Sequence, residues 1–205
     1  MDADHDWFRV YDARDGYAEP NPGFGDTRFA PFDDADGVRV PTFYAADSLA
    51  AALLETSLHD VTGMKPRLVS EHALLGKHHA RLVPPEPLRL ADLRDSSLQT
   101  LNIPRQAAVT SSQEHYPCTR RVAKAMHSGP QQAAGIMWHS RQAELNGQPA
   151  AVTAVLFCDR VPAHRGAWTL AQQPGASGSL LEGHGRLILD KLAVELGVTI
   201  VDEGL

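Results

Sequence analysis

Short apolar runs alternate with Gly- and Pro-rich turns along the chain, and only three stretches carry a helical spacing of apolar residues. "WFRVYDA" (Trp7 to Ala13) predicts a first strand, rich in aromatic and β-branched residues. "RDGYAEPNPGFGD" follows as a loop. "VRVPTFYAA" (Val38 to Ala46) predicts a second strand, with Pro41 marking an edge or an irregular start. Asp47 or Ser48 is placed to cap a helix over Leu49 to Val61, with Leu53, Leu54, Leu58 and Val61 on one apolar side. "KHHARLV" and "PLRLADL" predict strands around the turn at Pro84 to Pro87. Tyr116 to Gly129 predicts a helix, with Pro117 suited to its first turn and Gly129 to its stop. "AGIMWHS" and "AAVTAVLFCD" predict two more strands. "QQPGASGSL" is expected as a loop, "EGHGRLILDKLAVELG" as a last helix and "VTIV" as a last short strand. No internal repeat and no disordered tail interrupts this order. Strands broken by a few helices without regular alternation predict an α+β fold.

Composition narrows the classes. A chain of 205 residues buries one good core, so one domain over residues 1–205 is expected. Hydrophobic residues make up 43% and charged residues 21%, the balance of an ordinary globular protein. No apolar run approaches the ~18 residues of a membrane span. The start, "MDADHDWF", is acidic and has no apolar core of a secretory signal, so a cytoplasmic protein is expected. Its two cysteines, Cys118 and Cys158, are then reduced thiols, with a single bridge left open. A net charge of −6 argues against a broad basic surface for nucleic acid and turns attention to a small-molecule site.

The candidate chemistry lies between Thr27 and Val61. Arg28 stands in a loop beginning "GFGD", Tyr44 near the end of a strand, and Glu55 eleven residues later on the following helix. Ala51 and Ala52, at helical spacing from Glu55, have small side chains past which a ligand could approach. A cation, an aromatic face and a carboxylate suit a cationic dinucleotide such as NAD+. Arginine binds a diphosphate through paired, charge-assisted hydrogen bonds. Tyrosine stacks on a cationic nicotinamide ring. A carboxylate holds a ribose hydroxyl and stabilises the oxocarbenium charge of glycosidic cleavage. On spacing alone, a solvated helical glutamate is the better explanation of Glu55.

Other tempting residues point nowhere in particular. His78 and His79 are adjacent on a strand and face opposite ways, so they do not chelate together. His59, His72 and His115 lack the Cys/His spacing of a zinc site, and no metal is expected. Neither GxxxxGKS nor GxGxxG occurs, and "GASGS" lacks the setting of a nucleophile elbow. Cys158 follows an apolar strand and is expected in the core. Arg120, Arg121 and Lys124 form either a solvated helix face or an anionic contact.

Two blocks together resemble the RES domain family. The first comprises Arg28-Phe29-Ala30-Pro31, then Tyr44-Ala45-Ala46-Asp47-Ser48, then Glu55. The second comprises the helix from Thr119 to Ala123 and then Gly135-Ile136-Met137-Trp138-His139-Ser140. Arg9 in "FRVYD" matches the family's first-strand arginine. The resemblance spans roughly residues 7 to 160, leaving a C-terminal extension. Two departures stand out. Phe29-Ala30 occupies the place of the family's Trp-Asn, and Arg141 follows Ser140 at once rather than two residues on.

The resemblance implies an ADP-ribosyltransferase-like split β-sheet with flanking helices. It implies the toxin half of a toxin–antitoxin pair, with NAD+ as substrate and an Xre-type helix-turn-helix antitoxin as partner. DNA binding would belong to that partner, and a homodimer within the complex is compatible. Arg9 and Arg28 would bind phosphates and ribose, and Tyr44 would face the nicotinamide. Glu55 would be the catalytic carboxylate. Ser140 would either hydrogen-bond the nicotinamide-side ribose or orient Glu55. The expected outcome is transfer of ADP-ribose to a protein, with self-modification as a side reaction, because Trp168 in the polar segment Arg160 to Ser179 offers a partner anchor. NAD+ hydrolysis or phosphorolysis is the close alternative. A non-catalytic nucleotide- or partner-binding module is the competing class.

Overall fold

In the computed structural model, which describes residues 1, 5–13, 21–148, 150–161, 168–170 and 175–202, β1 (Trp7–Asp12) and β2 (Thr42–Ala46) come first. They are followed by α1 (Leu49–Leu54), β3 (Leu68–Ser70), α2 (Glu71–Leu74), β4 (Lys77–Val83) and β5 (Ala91–Asp92). Next come α3 (Asp95–Thr100), α4 (Arg105–Ala108), α5 (Tyr116–Ser128), β6 (Gly135–His139) and α6 (Arg141–Leu145). The chain then runs through β7 (Val152–Phe157), β8 (Thr169–Leu170), β9 (Ser177–Ser179), α7 (Gly183–Leu196) and β10 (Thr199–Val201).

The main sheet is mixed and eight-stranded. Seven strands run in the order β5-β6-β7-β2-β1-β4-β8, and β9 pairs with β4. β5 and β6 are parallel and the other neighbours antiparallel. A small parallel sheet joins β10 to β3. Together these elements make a single α+β domain. None of the described helices is long and apolar enough to cross a membrane.

One junction in the sheet is thin. β1 registers with β4 from Trp7 to Asp12, and β2 with β7 along its whole length, yet β1 meets β2 in register only at Phe8 and Ala46. Beyond that pair the two strands part. Successive side chains on a strand face opposite ways, so the core divides across the sheet. Phe43, Ala45, Ala154 and Leu156 pack on one face with Trp7, Leu88 and Val161. Val155 and Phe157 pack on the other with Phe29, Leu98, Ala123 and Trp138. Val10 and Ala46 pack with α1 and α7.

Three expectations are corrected. The helix predicted to Val61 stops at Leu54. Its first turn is held by Ser48, whose Oγ accepts from the Ala51 N–H at 3.2 Å. At the far end the Thr56 hydroxyl donates to the Ala52 carbonyl at 2.6 Å, and the Leu58 N–H reaches Leu53 at 2.8 Å, so the chain turns away. Ala51 and Ala52 are buried in the core, which closes the approach they were expected to offer. The second strand begins at Thr42 rather than Val38, after the irregular backbone that Pro41 imposes.

The C-terminal segment also differs. Ser177–Ser179, expected as loop, is a strand beside β4. "PLRLADL" shortens to Ala91–Asp92. Leu180, Leu189, Ala193 and Leu196, beyond the expected extension point, belong to the main core around α1. Gly185 permits this docking, because a Cβ there would lie 1.9 Å from the Ser179 carbonyl oxygen. Parts of the loops expected over Arg14 to Asp26 and over Gln172 to Leu180 lie outside the described residues.

Candidate active site

Two helix ends meet at the centre of the site. Glu55 is the C-cap of α1, and Ser140 is the N-cap of α6 at the end of β6. Asp47 fixes the corner from β2 into α1. It exchanges hydrogen bonds with Val152, its N–H donating at 2.9 Å and its Oδ2 accepting at 2.8 Å. Ser140 N–H donates to Ala151 at 2.9 Å, tying β6 to the same end of β7. These constraints bring the fully buried Ser140 hydroxyl 2.5 Å from Glu55 Oε1, to which it donates. Ser140 Oγ in turn accepts from the Ala143 N–H at 3.0 Å. Ser140 therefore caps a helix and holds the Glu55 carboxylate with one hydroxyl.

Arg28 and Tyr44 face the same space. Tyr44 OH is 2.8 Å from Thr27 Oγ1, which donates in turn to the Ala30 carbonyl at 2.8 Å. Burial pushes the Tyr44 phenol up to about 12, against the smaller opposing effect of the Thr27 hydrogen bond. The Arg28 guanidinium donates to the Ser111 carbonyl at 3.0 Å and to its Oγ at 2.8 Å, and lies 5.0 Å from the Tyr116 ring centre. Burial lowers its pKa, while the nearby Tyr116 and Glu55 oppose the shift. The Arg28 backbone is held as well, since Thr119 donates its hydroxyl to the Arg28 carbonyl.

A cleft of about 620 Å³ joins these groups. Arg9, Arg28, Tyr44 and Glu55 line it, together with Phe24, His59, Ser111, Tyr116 and Arg141. The volume is within the range of small-molecule sites. Arg9 stands apart from the others. Its guanidinium lies 4.5 Å from the Phe43 ring centre and 5.2 Å from Tyr11, and burial lowers its pKa to about 10. Phe43 and Tyr44 are consecutive strand residues and face opposite ways. A cleft bordered by both Arg9 and Tyr44 therefore crosses the opening where β1 and β2 part.

Several lining residues had no signal in the chain. Ser111 and Tyr116 support Arg28 from more than 80 residues away. Arg141, which donates to the Thr110 carbonyl at 2.9 Å, adds a second guanidinium near Arg28. Its position directly after Ser140 was the one visible hint. Behind Ser140, Arg105 pairs with Glu144 of α6 at 2.7 Å and with Asp95 at 3.1 Å, and His139 approaches Asp95 at 3.4 Å. This cluster steadies both sides of the serine.

The remaining candidates fall elsewhere. Arg120 pairs with Asp26, and Lys124 donates to the Asp34 carbonyl at 2.9 Å, so two of the three α5 cations hold the loop before β2. Trp168, expected as an exposed anchor, packs against Phe43 with ring centres 5.2 Å apart. Both cysteines are free thiols, and burial pushes Cys158 up to about 12. Among the described residues, no three His, Cys, Asp or Glu side chains converge as a metal site.

What the arrangement offers is a carboxylate fixed by a buried hydroxyl, an aromatic ring beside it, and guanidinium groups along one cleft. The RES domain model matches residues 3–173, which takes in every residue of this constellation. Comparison with curated proteins returns no match. The chain is therefore a member of the RES domain family, generally toxins of toxin–antitoxin systems.

Proposed function

We propose that this chain cleaves NAD+ between nicotinamide and ribose and passes the ADP-ribosyl group to an acceptor, in a sheet split in the manner of ADP-ribosyltransferases. The observation that carries this reading is the Glu55 carboxylate, oriented by Ser140 at 2.5 Å in a cleft shared with Tyr44 and Arg28. The bond from the ribose C1′ to the nicotinamide nitrogen breaks, and its electron pair leaves with neutral nicotinamide. The ribosyl group gains oxocarbenium charge, which Glu55 stabilises. The acceptor then bonds C1′ and gives up a proton. Tyr44 stacks against the cationic ring before it leaves. Arg28 and Arg141 take the diphosphate, exchanging carbonyl partners on the Thr110–Ser111 loop for phosphate oxygens.

A protein acceptor was favoured by the expected exposure of Trp168. That support weakens with Trp168 packed on Phe43. Hydrolysis or phosphorolysis is the second reading, and the paired guanidinium groups favour it because they also suit an inorganic phosphate. In either case the chain acts as a toxin held inactive by an antitoxin, with DNA contact left to the partner at a net charge of −6.

Adenine-labelled NAD+ incubated with the purified chain, with phosphate and with cell lysate tests the proposal. Free nicotinamide must appear. Label on a discrete protein band identifies transfer, and label in ADP-ribose or its 1″-phosphate identifies degradation. Intact NAD+ after prolonged incubation would overturn the proposal.

A further inference from the structure

We infer that Phe24 is the adenine platform of this cleft, an inference that rests on the NAD+ reading above. Phe24 is 65% exposed, unusual for a phenylalanine, and it borders the cleft. Its backbone is firmly held. Asn21 Oδ1 accepts from the N–H groups of Gly23 at 2.9 Å and Phe24 at 2.7 Å, and Asn21 Nδ2 donates to the Phe24 carbonyl at 2.9 Å. Asn21 itself is bridged to Thr42 by two backbone hydrogen bonds, at 2.8 and 2.9 Å. The glycines on either side adopt φ values of +121° and +83°, which L side chains rarely adopt, so the turn that presents Phe24 is built for it. An apolar ring held out at a cleft by a fixed turn loses little freedom on binding a flat ligand.

Position decides which ring it meets. Ser140 and Glu55 sit where β7 begins, since Ser140 bonds Ala151 and Asp47 bonds Val152. Asn21 bonds Thr42, which registers with Phe157 at the other end of β7. Five strand steps, about 17 Å, separate the two ends. That separation leaves room for a diphosphate between two ribosides, and Arg28 lines the same cleft. Chemistry agrees with position. The cationic nicotinamide belongs near the Glu55 carboxylate and Tyr44. A neutral purine, whose faces stack on any aromatic ring, suits a phenylalanine with no polar atom.

The test is calorimetric binding of two probes, ADP-ribose and nicotinamide mononucleotide, to the wild-type chain and to Phe24→Ala and Phe24→Trp, with nicotinamide release measured in parallel. Phe24→Ala is expected to weaken ADP-ribose about tenfold. Phe24→Trp should retain the affinity, and all three proteins should bind nicotinamide mononucleotide alike. ADP-ribose affinity unchanged in Phe24→Ala would overturn the inference and point to a protein partner for this ring. A parallel loss for both probes would also overturn it, as a general effect of the loop. If the wild type binds ADP-ribose but releases no nicotinamide, the proposed reaction fails while the probes still decide the role of Phe24.

Discussion

Ser140 and Glu55, 85 residues apart in the chain, meet through one hydrogen bond of 2.5 Å between the N-cap of α6 and the C-cap of α1. The hydroxyl has two tasks, because it also accepts from the Ala143 N–H. Ser140→Ala should therefore show two separable losses. The missing cap costs about 1 kcal/mol of stability. The carboxylate loses a hydrogen bond to a charged group, so kcat should fall about tenfold or more. Thermal unfolding and nicotinamide release on the same preparation check both. A stability loss with full turnover would reduce Ser140 to a helix cap.

Arg28→Ala should act on binding. A diphosphate contact is made in ground and transition states alike, so KM for NAD+ should rise about tenfold or more with kcat little changed. Arg28→Lys should not restore the affinity, because a lysine lacks the planar fork that spans two oxygens. Steady-state kinetics with both variants decides this, and wild-type KM in Arg28→Ala would remove the residue from the phosphate site.

Tyr44 supplies a pH test. Its folded pKa is about 12, raised by burial from an ordinary 10. A raised value means that the neutral phenol is favoured by folding. The contribution is fully present below pH 10 and is lost as pH rises toward 12. Wild type should thus lose stability relative to Tyr44→Phe across that window, while the two run parallel below it. Turnover in Tyr44→Phe should be largely retained, since the ring remains. Parallel unfolding curves across the whole alkaline range would contradict the burial of this hydroxyl.

Growth offers an independent readout. Expression of the chain alone in bacteria should arrest growth, and Glu55→Gln should relieve the arrest at equal protein level. Normal growth with folded wild-type protein present would count against the toxin reading.

Much of the frame was legible because it follows local rules. β1, β4, β6 and β7 coincide with short runs rich in apolar, aromatic or β-branched residues, and α5 begins at a proline-bearing first turn and ends before Gly129. The order Arg28, Tyr44, Glu55 was visible because a strand leading into a helix fixes their spacing. What stayed hidden depends on weak local signals or on distant partners. No glycine or proline marks the end of α1 at Leu54, which is set by the Thr56 hydroxyl and a backbone turn. Leu58 lies in the turn after α1 and Val61 opens a short 3-10 helix, yet both join the same core, so an apolar spacing that fits one continuous helix was met by a broken one. The Ser177–Ser179 strand is glycine- and serine-rich and exists because β4 offers an edge. Ser111 and Tyr116 support Arg28 only through tertiary contact. Trp168 looked like an anchor from its polar surroundings, yet Phe43 lies within reach of its ring.

The central claim is that Glu55 carries the charge-stabilising role in breaking the nicotinamide–ribose bond. Glu55→Gln keeps the size of the side chain, and the amide can still accept from Ser140, but the negative charge is gone. Nicotinamide release from NAD+ by the purified wild type and by Glu55→Gln, with NAD+ binding measured on both, is the direct measurement. The account predicts a fall in turnover of at least about a hundredfold with binding retained. Equal turnover in a folded Glu55→Gln protein would contradict it.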